Sequence, residues 1–427
     1  MTRTTPTTGR SLAQRYAEVR RATERFCAPL EVEDYVVQAM PDASPIKWHL
    51  AHVSWFFEAL VLKPHLPGYE SIDERYHFLF NSYYNSLGKQ FHRPHRGLIT
   101  RPTVADVQRY RAHVDAHMTE LFHRADASGL PLPEDVIEVG LNHEQQHQEL
   151  MVTDLKSLLA LNPLRPVYRE RQMTGPGGDV PALTWTGIEE GVYEIGHAGE
   201  GFAYDNEGPR HRVYVHACEL ADRLVTCGEF LEFIADGGYE RPEFWLSNGW
   251  ATLQERGWQG PLYWEQQDSE WLCYTLAGLR PVRADEPVCH VSLYEADAFA
   301  RWAGARLPTE AEWEVVAERV PVEGNFVENE ELHPRPLASD HRAAEGVRQL
   351  FGDVWEWTMS AYAPYPGYRV PDGALGEYNA KFMSAQNVLR GGSCGTSRTH
   401  IRPTYRNFFY PPDRWQFMGL RLARSAA

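Results

Sequence analysis

Cysteine is sparse and irregular in this chain. The six residues Cys27, Cys218, Cys227, Cys273, Cys289 and Cys394 form no CxxC pair and no evenly spaced framework, which argues against a disulfide scaffold and for reduced thiols. Long hydrophobic runs are also missing. Nothing approaches the roughly 20 consecutive apolar residues needed to cross a bilayer as a helix, and the opening MTRTTPTTGR has no apolar segment of the secretory type, so a cytoplasmic location is expected and a membrane partner is not. Basic residues are outnumbered, 42 Lys and Arg against 58 Asp and Glu, for a net charge of -16. A nucleic-acid backbone wants a basic face; small-molecule substrates are the expected partners.

What the chain does have is length and histidine. Its 427 residues exceed what one hydrophobic core usually organises, so two domains are expected. The first part, residues 1–165, reads as four helices. Ser11 to Phe26 aligns Leu12, Tyr16, Val19 and Phe26, and Thr103 to Phe122 aligns Val107, Tyr110, Val114 and Leu121. Ser44-Pro45 caps a run through Trp48, His52, Trp55 and Phe56, and Pro133 starts one carrying Val136, Val139, His143, His147, Leu150 and Met151. A four-helix bundle follows, an architecture whose metal ligands project inward from facing helices.

Pro, Gly and charge break every periodicity from Asn162 to Thr184, which places the linker at residues 166–183. From residue 184 to 427 the texture is short apolar runs (VYEIG, HRVYVHA, NVLRGGS) with frequent Gly, Pro and Trp. Two helices are convincing there, each opened by a capping box, Ser292 with Glu295 and Thr309 with Glu312. This half reads as α+β with much irregular structure.

His143-Glu144-Gln145-Gln146-His147 is the sharpest local feature, because histidines four apart on a helix share a face and both reach one ion. HExxH is also the zinc-hydrolase pattern, with the glutamate as general base. Glu149 stands where such enzymes continue apolar, and no third ligand follows in the next turns. In Trp48-His49-Leu50-Ala51-His52 one histidine must face the interior; His52 shares a stripe with Trp48, Trp55 and Phe56 and is taken as that one. The plain alternative is hydrogen-bonded core histidines. All-imidazole ligation suits Zn, Fe, Cu or Ni, so the metal stays open on residue type alone.

Taken together, SPIKWHLAHVSWFFE, the HEQQHQE helix, and LPTEAEWE, GDVWEWT, NVLRGGS and GLRLA in the second half resemble the ergothioneine-biosynthesis sulfoxide synthases over nearly the whole chain. The resemblance implies a multidomain α and α+β fold. An N-terminal DinB-like four-helix bundle is followed by a C-terminal C-type-lectin-like domain of the formylglycine-generating-enzyme, or sulfatase-modifying-factor, type. It implies Fe(II) held by His52, His143 and His147, and O2-driven joining of a cysteinyl thiol to imidazole C2 of hercynine. Forming the C–S bond and oxidising the sulfur each remove two electrons, which matches the four taken up by O2. Gln146 and Asn407 match positions beside hercynine, and the aromatic faces of Tyr378 and Phe408 suit its quaternary ammonium.

Two departures from the family pattern matter. The Tyr-x-x-Tyr element ahead of the RGGS segment reads Leu375-Gly376-Glu377-Tyr378 here, so the proton donor is sought in Tyr83 or Tyr84. Members that use γ-glutamylcysteine carry an acid and, four residues on, an arginine after the Arg-Asn-aromatic triplet; here Phe409 and Asp413 stand there. Arg414, shifted by one residue, or Arg93 or Arg96 would then bind a substrate carboxylate, and free cysteine ranks ahead of the dipeptide. The formylglycine-generating reaction needs a close cysteine pair past RGGS, where only Cys394 stands. LPTEAEWE and GDVWEWT are read as fold-defining, their carboxylates capping turns or binding a structural ion. The rivals are a zinc hydrolase, a related thiohistidine-forming sulfoxide synthase and a metal-stabilised binding module.

Overall fold

The computed structural model describes residues 10–170, 180–199, 201–337 and 346–426. The chain divides into two compact units, Met1–Leu158 and Leu159–Ala427. No helix among the described residues is long and apolar enough to cross a membrane.

The first unit is the expected bundle. Its first helix, Leu12–Cys27, opens at Ser11, where the Ser11 hydroxyl accepts from the Gln14 amide and the Gln14 side chain accepts from the Ser11 amide. The second, Ile46–Phe57, starts after Pro45 and runs into a π turn at Glu58–Leu62. Glu58 is buried there and accepts from the hydroxyls of Tyr69 (2.6 Å), Ser71 (2.8 Å) and Tyr110. The third, Val104–Ser128, is boxed by Thr103 and Asp106 and stopped by Gly129 at φ 67°. The fourth, Glu134–Leu161, follows Pro133, with Glu134 and Asp135 in its positively polarised first turn.

Every residue of the second helix from Ile46 to Phe57 is buried. This corrects the expectation that one of His49 and His52 faces outward: the helix is enclosed on all sides, as its nearly continuous apolar sequence allows. Gly140 governs its approach to the fourth helix. A Cβ at that position would lie 2.6 Å from Cε1 of Phe57 and 3.0 Å from Cε1 of Phe56, so the close packing one turn before His143 depends on a bare Cα.

In the second unit a four-stranded sheet takes the order Asn407–Phe409, Asn387–Arg390, Trp355–Ala361, Met418–Gly419. A three-stranded sheet joins Trp185–Ile188, Cys218–Ala221 and Ala423–Ser425. Both capping-box helices are present, Leu293–Trp302 and Glu310–Ala317. Two more helices, Cys227–Ala235 and Ser247–Arg256, add to the expected pair. The first of these carries the same signal, Thr226 boxed with Glu229, which a scan for Thr-x-x-Glu finds. The start of the expected linker belongs to this unit's packing: Tyr168 and Arg169 amides donate to Leu276 O, and Tyr274 Oη donates to Pro166 O at 2.6 Å. Residues 171–179 of that linker lie outside the described residues.

Glu310, Glu314 and Glu356 pair with buried arginines, and Asp353 accepts from the Arg335 amide (2.8 Å) and Asn325 Nδ2 (2.9 Å). Arg421 holds Glu356 through both of its oxygens (2.9 Å each), and Trp313 Nε1 donates to the same carboxylate. Arg390 reaches Glu310 (3.0 Å) and Glu314 (2.7 Å), and Arg406 reaches Glu310. Glu312 does cap its turn, accepting from the Thr309 amide at 2.8 Å.

Ala has a higher helix propensity than Gly by about 1 kcal/mol, yet Gly140→Ala is expected to destabilise the bundle by roughly 1–3 kcal/mol through overpacking against Phe57. Urea unfolding of the two proteins measures the sign.

Candidate metal centre

His143 and His147 project from one face of the fourth helix toward His52 on the second. Ring centroids are 4.9 Å apart for His52–His143, 4.8 Å for His52–His147 and 4.6 Å for His143–His147. One ring nitrogen from each lies within 4.8 Å of those of the other two, and this is the one such cluster of metal-ligating side chains among the described residues. His52 Nε2 and His143 Nε2 are 3.1 Å apart. Two nitrogens about 2.1 Å from one ion and at right angles would be about 3.0 Å apart, so the spacing fits a shared cation.

Burial holds all three imidazoles neutral at ordinary pH. It pushes His143 down to about 3 and His52 and His147 well below the usual histidine range, with neighbouring histidines adding to the effect in the latter two. Neutral rings are what a metal requires. The tautomer of His52 is set by Phe80 O, which accepts at 2.6 Å and obliges Nδ1 to donate, leaving the Nε2 lone pair for the cluster. Its plane is set by two indoles, Trp48 at 4.6 Å and 13° and Trp55 at 5.6 Å and 14°. These flank His52 one helical turn to either side, and each is anchored by its Nε1, to Leu79 O and to His77 Nδ1.

Glu144 faces another way. One residue past His143 it is rotated about 100° around the helix, and it is buried in a polar knot with Thr23 (2.7 Å), Arg111 (2.7 Å) and Arg20 (2.9 Å). Burial alone would raise its pKa; Arg111 and Arg20 overcome that and bring it to about 2. A carboxylate committed to two guanidiniums does not act as the base of a hydrolase at the histidine cluster. Arg20 and Thr23 occupy the inward face of the first helix along with Tyr16 and Phe26, a placement that an apolar stripe does not reveal.

His49 was set aside by sequence reasoning, but it is buried with its Nδ1 2.8 Å from His147 Nδ1 and its Nε2 3.1 Å from Asp154 Oδ2. The proximity of His49 to His52 in sequence was the available signal. Asp154 is seven residues, nearly two turns, beyond His147, a spacing that puts it on the same stripe of the helix.

The remaining candidates fall in different places. Tyr84 is buried against Trp55 (5.6 Å), and Tyr83, half-buried, stacks on Tyr84 at 4.7 Å. Asn81 ties down this turn, accepting from the Tyr84 amide and donating to its carbonyl. Arg96 is buried, lies 3.3 Å over the Trp48 ring and donates to Ser44 Oγ (2.9 Å) and Ser82 Oγ (3.0 Å). Arg93 is exposed and donates to Asp42 O. Gln146 is half-buried, three residues along the helix from His143.

In the second unit Phe408 stacks on Tyr362 at 4.0 Å and 10°, with Asn407 beside it on the same strand accepting from the Phe408 amide. Tyr378 is a buried packing residue, one face against Tyr204 at 5.2 Å. Arg414, a candidate carboxylate clamp, is held in an ion pair with a chain carboxylate. Its Nη1 donates to buried Glu295 (2.8 Å) and Gly260 O, and its guanidinium lies 3.9 Å over Trp258; a chain acid one helix away has already taken the charge. Cys394 is buried, as are the other five free cysteines.

Glu144→Ala would leave buried Arg111 without its close carboxylate partner and Arg20 with Asp115 alone, and a loss of about 3 kcal/mol of stability is expected. Because the folded carboxyl titrates below its ordinary value of 4.5, its contribution is fully present above that pH and is lost as pH falls toward about 2. Circular dichroism across that window, comparing wild type with the less acid-sensitive variant, measures it.

Residues 15–151 match the DinB superfamily and residues 180–426 match the sulfatase-modifying factor enzyme 1-like domain. The chain is 30% identical to the hercynine oxygenase of Mycolicibacterium thermoresistibile, covering 96% of this chain and 94% of that protein. It is 32% identical to the hercynine oxygenase of Mycobacterium tuberculosis, covering 98% and 99%. The formylglycine-generating enzyme of Streptomyces coelicolor is 29% identical over 55% of this chain and 87% of its own. With a DinB-type bundle followed by a sulfatase-modifying-factor-type domain, and near full-length similarity to these oxygenases, this chain belongs to the hercynine oxygenase family.

Proposed function

We propose that this protein is a sulfoxide synthase of ergothioneine biosynthesis, an Fe(II)-dependent oxidoreductase that joins the thiol of cysteine to imidazole C2 of hercynine at the expense of O2. The observation that carries the reading is the buried cluster of His52, His143 and His147, three neutral imidazoles with Glu144 turned away from them. When bound there, iron(II) supplies redox chemistry with O2, for which the family name of the relatives speaks. A hydrolase would need a free base beside the metal, and Glu144 is engaged by Arg20 and Arg111.

Arg96 supports an anionic thiol substrate. Its guanidinium is buried, and among the described residues it has no carboxylate ion-pair partner. Burial, with Arg93 adding to it, depresses its pKa well below the usual arginine range. A buried cation is costly unless an anion compensates it, and the α-carboxylate of cysteine would do so bidentately. Arg93 lies three residues away and adds positive charge. Arg414 in the second unit is engaged by Glu295, which supports cysteine over γ-glutamylcysteine. Gln146, Asn407, Phe408 and Tyr378 are proposed as hercynine contacts. One of the stacked pair Tyr83 and Tyr84 is proposed as proton donor.

The experiment is anaerobic reconstitution with Fe(II), followed by O2 uptake and product mass with hercynine plus either thiol. Expected is a hercynine–cysteine sulfoxide formed with one O2 per product; no uptake with either thiol, alongside tight zinc retention, would sink the reading. NMR of the product places the new bond at C2. Arg96→Leu is expected to raise KM for cysteine by on the order of 10- to 100-fold, the worth of a hydrogen bond to a charged group, with KM for hercynine little changed. Tyr83→Phe and Tyr84→Phe test the donor: sulfoxide yield should collapse in at least one, and unchanged yield in both removes the pair from the chemistry.

A further inference from the structure

His147 is gripped from behind. Its Nδ1 lies 2.8 Å from His49 Nδ1, and the other nitrogen of His49 lies 3.1 Å from Asp154 Oδ2. The same Asp154 oxygen accepts from the Ser44 amide at 2.8 Å, at the entry to the second helix. The ends of this chain decide its middle. An ionised carboxylate only accepts, so His49 Nε2 must carry a proton. A neutral His49 then has only a lone pair at Nδ1, and His147 Nδ1 must be the donor across the 2.8 Å contact. That leaves Nε2 of His147 without a proton, its lone pair available to the cluster in which one nitrogen of each ring lies within 4.8 Å of the others.

We infer that Asp154 and His49 form a two-residue relay that fixes the tautomer and ring orientation of His147, making them positioning residues of the metal centre. The inference rests on the metal-centre reading proposed above. Two of the three ligands are thereby oriented through the far nitrogen by different devices, a backbone carbonyl for His52 and a side-chain relay reaching across helices for His147. Groups of this kind raise the basicity of the ligand they orient and fix which nitrogen is offered. Because Asp154 also holds Ser44, the relay ties the start of the second helix to the fourth and so joins the two ligand-bearing helices.

The proposal is tested on the full chain loaded with Zn(II), which needs no substrate and no turnover. Histidine 15N NMR of the zinc protein should show His49 as the Nε2–H tautomer and His147 protonated at Nδ1. Asp154→Ala and His49→Leu should each weaken zinc affinity by about 10- to 100-fold, at unchanged circular dichroism. His49→Asn, which keeps an acceptor near the Nδ1 position, and Asp154→Asn, which keeps an amide oxygen for Ser44 and His49, should recover most of that loss. If His49 carries protons on both nitrogens or on Nδ1 alone, or if zinc affinity is indifferent to all four variants, the relay is wrong. A wild-type protein that fails to bind zinc or iron would instead overturn the metal centre itself, and a protein that binds metal through the relay without oxidising hercynine would overturn only the proposed reaction.

Discussion

The distance between the second and fourth bundle helices is the constraint from which the site follows. Gly140 presents no side chain to Phe56 and Phe57, and one turn later this approach leaves His143 Nε2 3.1 Å from His52 Nε2. A spacing wider by the breadth of a methyl group would separate three imidazoles that must share one ion. Gly in a helix interior is unfavourable, and here the cost is offset by the aromatic packing it permits.

Polar groups deeper in the bundle hold this geometry from both sides. Glu144, Arg20, Arg111 and Thr23 tie the fourth helix to the first and third, while Asp154 and His49 tie it to the second. The two networks leave the helix about 80° apart, Asp154 on the stripe of the two histidines and Glu144 to one side of it. Buried charge of this kind is tolerable only when fully paired, which makes the register of the fourth helix specific: a slip by one residue would break both networks and turn the histidines away. The second unit uses the same device, with Arg390, Arg406 and Arg421 meeting Glu310, Glu314 and Glu356 inside the sheet and helix packing. That is why short strands and much irregular backbone still hold together there.

Electrostatically, the centre is unusual in what it lacks. Its ligands are uncharged, Glu144 is neutralised by two arginines, and Arg96, which feels the charge of Asp154, brings a buried cation to the indole that stacks on His52.

Local spacing determined much on its own. Ser11, Thr103, Ser292 and Thr309 announce helix starts because capping is a matter of three residues, and His143 with His147 must share a face because helical periodicity leaves no choice. The division into a bundle and a mixed half was legible for the same reason. What only the tertiary structure decided is where polar side chains turn when neighbours supply partners at long sequence separation. His49 is inward because its helix is enclosed on every side, Arg20 because Glu144 waits for it 124 residues away. Arg414 is paired with Glu295, and Tyr378 is packed on Tyr204. Capping and periodicity are set by neighbours along the chain; the partner of a buried charge is chosen by packing, and no local pattern encodes it.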